Sequence, residues 1–179
     1  MVPAFVDVLA LCDGVIAVDM PIGLPATGRR ACDGEARRLL GPRRSSVFPV
    51  PTRDALDATA FADVRGLSIQ GWHLVPKIRE VDACWESRVV EASPELSLAV
   101  VTGAPMAYNK RTPEGRAERL TALEAAFPGL TTRAPRAAVH DVLDAHACLL
   151  TARRVAAGDA IELGDGTVDD LGRPMRVYA

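Results

Sequence analysis

The sequence lacks the features that mark membrane, secreted and strongly basic proteins. It has no run of about 18 apolar residues, so no membrane-spanning helix is expected. No basic segment precedes the apolar residues at its start, which argues against a secretory signal. Its formal net charge of -2 excludes a polycation, so any nucleic-acid surface must be a local patch. These absences together predict a cytoplasmic protein.

Cysteine and aromatic residues are also scarce. Aromatic residues make up 4% of the chain, and the cysteines include no CxxC pair and lie near no histidine cluster. Such spacing is typical of reduced thiols and not of disulfides or a zinc site. The four cysteines are Cys12, Cys32, Cys84 and Cys148.

The residues that are present predict one α/β domain over residues 1–179. Apolar residues make up 49% of the chain, enough for a sizeable core. Hydrophobic periodicity and cap residues predict helices at 3–12, 31–41, 54–63, 68–85, 111–127 and 135–158. Strands are expected at 15–18, 88–91 and 174–179, with a further short one at 46–48. Strands separated by helices favour α/β layers, although three good strands are few for this length.

Two of the predicted strands end on a carboxylate. Asp19 follows the strand at 15–18, and Glu91 ends the strand at 88–91. Ligands of open α/β sheets bind beyond the carboxyl ends of the strands, so parallel strands would bring both acids to one edge. The alternative interpretation is that each acid caps a turn or the following helix.

The longest predicted helix carries an acidic pair. Asp141 and Asp144 are three positions apart, so they share a helix face, where like charges repel unless a cation or donor lies between them. Oxygen ligands without a His or Cys set favour Mg²⁺ or Mn²⁺ over zinc. Carboxylates of this kind can hold two metal ions for phosphoryl displacement. An ordinary solvent-exposed face is the alternative.

Residues 27–54 form a basic stretch in a chain that is acidic overall. Seven arginines stand there against three acids. Arginine binds phosphate through two parallel donors, and Phe48 could stack on a base. Salt bridges to neighbouring helices would explain the same arginines. The predicted phosphate-binding residues, which include one lysine beyond the stretch, are Arg29, Arg30, Arg43, Arg44, Arg53 and Lys77.

Several segments, spread from about residue 15 to residue 155, together resemble domain-of-unknown-function family 429 (DUF429), whose members are described as predicted nucleases of the ribonuclease H-like fold. The resembling segments are IAVDMPIGLP, GRRACDGEARRLLGPRRSSVFPVPTR, LSIQGWHLVPKIREVD, VVEASPELSLAVVTGAP, KRTPEGRAERL and DVLDA. The resemblance implies a mixed central sheet flanked by helices and an acidic metal site. It assigns the metal to Asp19, Asp141 and Asp144, with Glu91 as a further catalytic acid.

The sequence departs from this family at its start. Members typically begin with a strand that carries an Asp in a GxDG-like turn, followed by a hairpin, and neither has a counterpart here. A truncated or misassigned reading frame, or a degenerate member, would explain the departure. Weak or no nuclease activity is therefore expected. The strand at 15–18 should then either pair with a second copy through its free edge or be covered by the helix at 3–12.

Three functional hypotheses follow. The first is a Mg²⁺- or Mn²⁺-dependent nuclease that hydrolyses phosphodiesters of nucleic acid, or an inactive relic of one. The second is a non-catalytic module that binds phosphate or nucleic acid and uses the acids structurally. The third is a scaffold whose sheet edge pairs with another subunit.

Overall fold

The computed structural model describes residues 4–179 as a mixed α/β structure of six α-helices and a small sheet. The helices are α1 (Phe5–Leu11), α2 (Ala31–Leu40), α3 (Ile69–Ala83), α4 (Pro94–Thr102), α5 (Pro113–Glu124) and α6 (Val139–Ala157). The strands are β1 (Ile16–Val18), β2 (Val89–Glu91), β3 (Glu162–Leu163) and β4 (Val177–Tyr178). The predicted helix spans residues 3–12, and its first residue lies outside the described residues.

The sheet consists of two strand pairs that meet at one point. β1 and β2 are parallel, with Val18 opposite Glu91, while β3 and β4 are antiparallel. A single parallel bridge between Ala92 and Tyr178 connects the two pairs. The predicted α/β class is confirmed, and the strands predicted at 15–18, 88–91 and 174–179 are present in shortened form.

Cap residues set the ends of the helices as the sequence predicted. The hydroxyl of Thr112 accepts a hydrogen bond of 3.1 Å from the Gly115 amide, which caps α5 at its N-terminus. α6 is the longest helix of the described residues and ends at Gly158, whose φ of 77° suits the left-handed C-cap. α3 continues through Pro76, so the predicted disturbance does not divide it.

Two local predictions were wrong, and one helix was not predicted. Residues 54–63 hold only the 3₁₀ turns Arg53–Leu56 and Phe61–Asp63, because that stretch has no continuous apolar face to bury. The strand expected at 46–48 is absent from the described residues, since the chain there leaves the 3₁₀ helix Gly41–Ser46 for a proline-rich loop. α4 was not predicted, because it is apolar on nearly all sides and so has no amphipathic period.

The helices pack on both faces of the β1–β2 pair. Phe5, Val8 and Leu9 of α1 pack against a cluster that contains Ile16 of β1 and Val89 of β2. Thus α1 packs against one face of the pair, while the predicted covering of the free β1 edge stays a prediction. α6 packs against β1, and α4, α5 and α6 share a separate apolar cluster. Within residues 4–179, no helix has the length and hydropathy needed to cross a bilayer.

Two helical glycines differ sharply in their surroundings and provide a test of this packing. A Cβ at Gly115 would lie 1.9 Å from the carbonyl oxygen of Asn109, whereas a Cβ at Gly34 would meet nothing within 4 Å. We expect Gly115→Ala to destabilise the fold by about 1–3 kcal/mol, because the loop before α5 must move. Gly34→Ala should stabilise it by about 0.5–1 kcal/mol through helix propensity.

The measurement is urea unfolding of both variants beside the parent chain. Equal midpoints for the two variants would contradict the close approach of α5 to the loop at Asn109.

Candidate functional site

The carboxyl ends of β1 and β2 lie at one edge of the sheet, as the sequence predicted for parallel strands. Val18 pairs with Glu91, so Asp19 is the first residue beyond that register. Side chains of successive strand residues point to opposite faces. This alternation explains why Glu91 and Asp19 have different partners although both leave the sheet at the same edge.

Glu91 is held in a buried ion pair with Arg30. The two Arg30 terminal nitrogens lie 2.6 and 2.7 Å from the two carboxylate oxygens, and Arg30 is 3% exposed. Arg30 also binds Asp33 at 2.7 Å, while the amide of Ile22 donates to Glu91 at 2.7 Å. This group, Arg30 with Glu91, Asp33 and Ile22, is called the arginine clasp below. Glu91 therefore has protein partners for both oxygens.

Asp19 faces α6, where it lies near Asp144. The charge of Asp144 raises the pKa of Asp19, and the charge of Lys110 lowers it, so all three groups share one electrostatic environment. Lys110 Nζ donates to Asp144 Oδ2 at 2.5 Å. Asp144 Oδ1 is buried and has no hydrogen-bond partner among the described residues. The site thus holds two carboxylates, one ammonium and one unused acceptor.

The pKa of Asp19 is raised from its ordinary value of 3.8 to about 6. Burial is the largest cause, followed by the charge of Asp144. The side chain remains in contact with solvent, yet protein atoms surround it closely because it lies in a concave cleft. Burial, followed by the charges of Asp19 and Asp144, likewise raises the pKa of Cys148 to about 12.

Asp141 does not join this group. Its side chain is 62% exposed, and its Oδ1 lies 3.5 Å from Nε2 of His140. Asp141 occupies the first turn of α6, one turn before Asp144. Among residues 4–179, no three His, Cys, Asp or Glu side chains form a cluster that could hold a metal ion. The structure therefore brings two of the three predicted metal ligands together and leaves the third outside.

A cleft of about 510 Å³ opens beside Asp19. Its polar lining includes Arg43, Glu95, Lys110 and Arg111, together with Arg30, Asp33 and Glu91 of the clasp. Its apolar lining comes from residues 20–21, 47–51 and α3. Residues from many separate segments thus form a single concave surface that carries both signs of charge.

The predicted phosphate-binding residues divide into three groups. Arg43 lines the cleft, with Nη2 3.9 Å from Glu95 Oε1. Arg29 and Arg44 are exposed but do not line it. The remaining three are paired with carboxylates: Arg30 in the clasp, Arg53 with Asp82 and Asp169, and Lys77 with Glu80. For these three residues, the alternative interpretation as salt-bridge partners agrees with the structure.

Lys110 and Glu95 line the cleft and are not among the site residues predicted above. Lys110 lies in the loop before α5, and Glu95 in the first turn of α4. Glu95 Oε1 accepts from the fully buried Arg119 at 2.5 Å, while Oε2 is buried and unpaired among the described residues. The signal was present in the VVEASPE segment, where an acid at the start of a helix suits the dipole.

Comparison with known proteins gives a family and no individual relative. A family model described as "Protein of unknown function (DUF429)" matches residues 1–167. No curated protein matches the chain, and no solved structure does. The matched residues include β1, β2 and α6, and therefore Asp19, the clasp, Lys110 and Asp144.

The clasp gives a test with a matched control. Replacing Arg30 by Leu should destabilise the fold by about 3–5 kcal/mol, because Glu91 and Asp33 would remain buried without a counter-charge. Replacing the exposed neighbour Arg29 by Leu should change stability by less than about 0.5 kcal/mol. Urea unfolding measures both, and equal effects would show that the clasp does not stabilise the fold.

The titration of Asp19 tests the geometry of the carboxylate pair. Carboxyl-carbon NMR should give a pKa of about 6 in the parent protein. Asp144→Asn should lower that pKa by removing a like charge, and Lys110→Met should raise it by removing an opposite one. Asp141→Asn is the control and should leave it unchanged. An Asp19 pKa that does not change in Asp144→Asn would show that Asp19 lies apart from Asp144.

Proposed function

Because the chain belongs to the DUF429 family, we propose that it is a Mg²⁺- or Mn²⁺-dependent phosphodiesterase of the ribonuclease H-like kind, acting on nucleic acid or nucleotides. The helices that cover both faces of the β1–β2 pair support the layered arrangement that this fold requires. The position of Asp19 beyond β1, opposite α6, supports a site at the sheet edge.

The observation that carries the proposal is the unused Asp144 Oδ1 beside Asp19. A buried carboxylate oxygen without a partner is costly, and Lys110 offsets only one of two negative charges. Burial, and after it the charge of Asp144, raises the pKa of Asp19. A bound divalent cation would relieve both the unpaired oxygen and the repulsion.

The residues fit one hydrated ion better than a pair of ions. Mg²⁺ in enzymes is commonly held by one or two carboxylates, several waters and the substrate phosphate. Asp19 and Asp144 supply two such carboxylates, whereas Asp141 lies outside and Glu91 is saturated by the clasp. When bound, the ion would supply a water of lowered pKa and charge compensation at the phosphate.

The chain's own cations account for binding of the phosphate. Arg43, Lys110 and Arg111 line the same cleft and present donors on flexible side chains. The buried Nε of Arg43 has no partner among the described residues, so it can donate to a ligand without breaking a protein contact. Arg29 and Arg44 could extend contact along a longer phosphate backbone from outside the cleft.

One observation favours a second function, that of a non-catalytic phosphate- or nucleic-acid-binding module. Lys110 already compensates Asp144 through a 2.5 Å contact. If the ammonium is a permanent counter-charge, the carboxylates serve to position Lys110 and no metal is needed.

A cleavage assay distinguishes these functions. With Mg²⁺ or Mn²⁺, the full chain should cleave a labelled single-stranded oligonucleotide at the weak rate expected from its sequence, and chelation should abolish the cleavage. Asp19→Asn and Asp144→Asn should each reduce the rate at least about 100-fold, because both are proposed to hold the ion. Asp141→Asn should leave the rate within about twofold, since Asp141 lies outside the site.

The binding module predicts a different outcome. Oligonucleotide would then bind equally well with and without the metal, no cleavage would occur, and calorimetry would detect no Mg²⁺ binding that depends on Asp19.

A further inference from the structure

The cleft has an apolar wall with an exposed aromatic ring. Phe48 lines the cleft and is 51% exposed, although such a ring would normally be buried. The loop residues around it include Pro49, Val50 and Pro51, and Leu74 of α3 continues the wall. A flat aromatic face in a concave, proline-stiffened loop is suited to stack on another planar ring.

Two unsatisfied polar atoms lie on neighbouring side chains that line the same cleft. Glu95 Oε2 is an acceptor and Arg43 Nε is a donor, and both are buried without a partner among the described residues. The two side chains lie 3.9 Å apart at Nη2 and Oε1. Arg119 restrains Glu95, because it donates a hydrogen bond to Glu95 Oε1. Arg119 also donates to the carbonyl oxygens of Tyr108 and Gly115, which fix its own position.

We propose that the cleft binds one nucleotide unit, with its base stacked on Phe48 and an amino group of the base donating a hydrogen bond to Glu95 Oε2. The inference rests on the proposed function only for the location of the phosphate, near Arg43 and Lys110. It adds a base-reading residue, Glu95, and a class of ligand: nucleotides whose base carries an exocyclic amino group.

The chemistry of Glu95 selects among the bases. A carboxylate only accepts hydrogen bonds, so it favours an edge with an exocyclic amino group such as N4 of cytosine. Uracil presents its single ring donor between two carbonyl oxygens, which repel the carboxylate. Glu95 therefore favours cytidine over uridine nucleotides of the same size and charge.

The dimensions of the cleft favour a single unit. Its volume of about 510 Å³ falls in the range of pockets that enclose one small ligand, about 300–1,000 Å³. A stacked base in a duplex has neighbours on both faces, so it could not also lie on Phe48. The ligand is thus a free nucleotide or the unpaired end of a single strand.

The experiment measures binding of CMP and UMP to the full chain by calorimetry, in chelator and at low salt. CMP should bind at least about tenfold more tightly than UMP, the ratio expected of one hydrogen bond to a charged group. Phe48→Ala should weaken both ligands about fivefold or more while keeping their ratio, because stacking does not distinguish them. Phe61→Ala is the control, since Phe61 is 39% exposed, lies against Trp72 and does not line the cleft.

Glu95→Gln tests the base-reading residue. An amide both donates and accepts, so the ratio of CMP to UMP affinity should fall towards one. This variant could fail to fold because Arg119 loses its counter-charge. In that case the ratio of CMP to UMP affinity in the parent chain, and the effect of Phe48→Ala, still test the proposal. Equal affinities for CMP and UMP, no binding of either, or no effect of Phe48→Ala would overturn the proposal. Since no metal and no cleavage are involved, base binding can succeed where the nuclease proposal fails, and the reverse.

Discussion

The arginine clasp is the interaction on which the site depends. Burying one guanidinium and two carboxylates is costly, and the cost is offset only when nearly every donor and acceptor is paired. Arg30 meets this condition, since it binds Glu91, Asp33 and the carbonyl oxygen of Ile22. The clasp joins the end of β2, the start of α2 and the turn after β1. The segment from Asp19 to Ile22 is therefore fixed at both ends, by the strand before it and by the clasp after it.

This rigidity allows unfavourable charges to be held together. Asp19 lies near Asp144, Glu91 and Glu95, each of which raises its pKa, and only Lys110 among the nearby charges opposes them. A carboxylate whose pKa rises on folding lowers the stability of the fold above that pKa and has no effect below its unfolded value. Asp19 thus costs stability above about pH 6 and none below about pH 3.8. A fold that maintains such a position against its own stability is typical of functional sites.

The sequence predicted the helices and strands that carry the site more accurately than the side-chain contacts between them. The position of Asp19 beyond a strand, and of Asp144 on the last long helix, followed from periodicity and from the end of the β1 pattern. The clasp could not be predicted in this way, because Arg30 and Glu91 are 61 positions apart. Nothing in the local sequence distinguishes a buried arginine from an exposed one. Asp141 and Asp144 share a helix face, but α6 meets the site one turn after it begins, so only the second acid reaches Asp19. Lys110 and Glu95 enter the cleft through a loop and an apolar helix, and neither has a periodic pattern.

The clasp also constrains how this protein can change over generations. Any substitution that removes the charge of Arg30 leaves Glu91 and Asp33 in the interior without a counter-charge, so a one-step path away from this arginine passes through a destabilised intermediate. Glu91 is less constrained, because Arg30 keeps Asp33 as a partner when Glu91 is replaced. Arg29, one residue earlier, is exposed and has no such partner requirement, so its replacement leaves no buried charge unpaired. Adjacent arginines of identical chemistry thus differ in what their replacement costs the fold, and burial accounts for that difference.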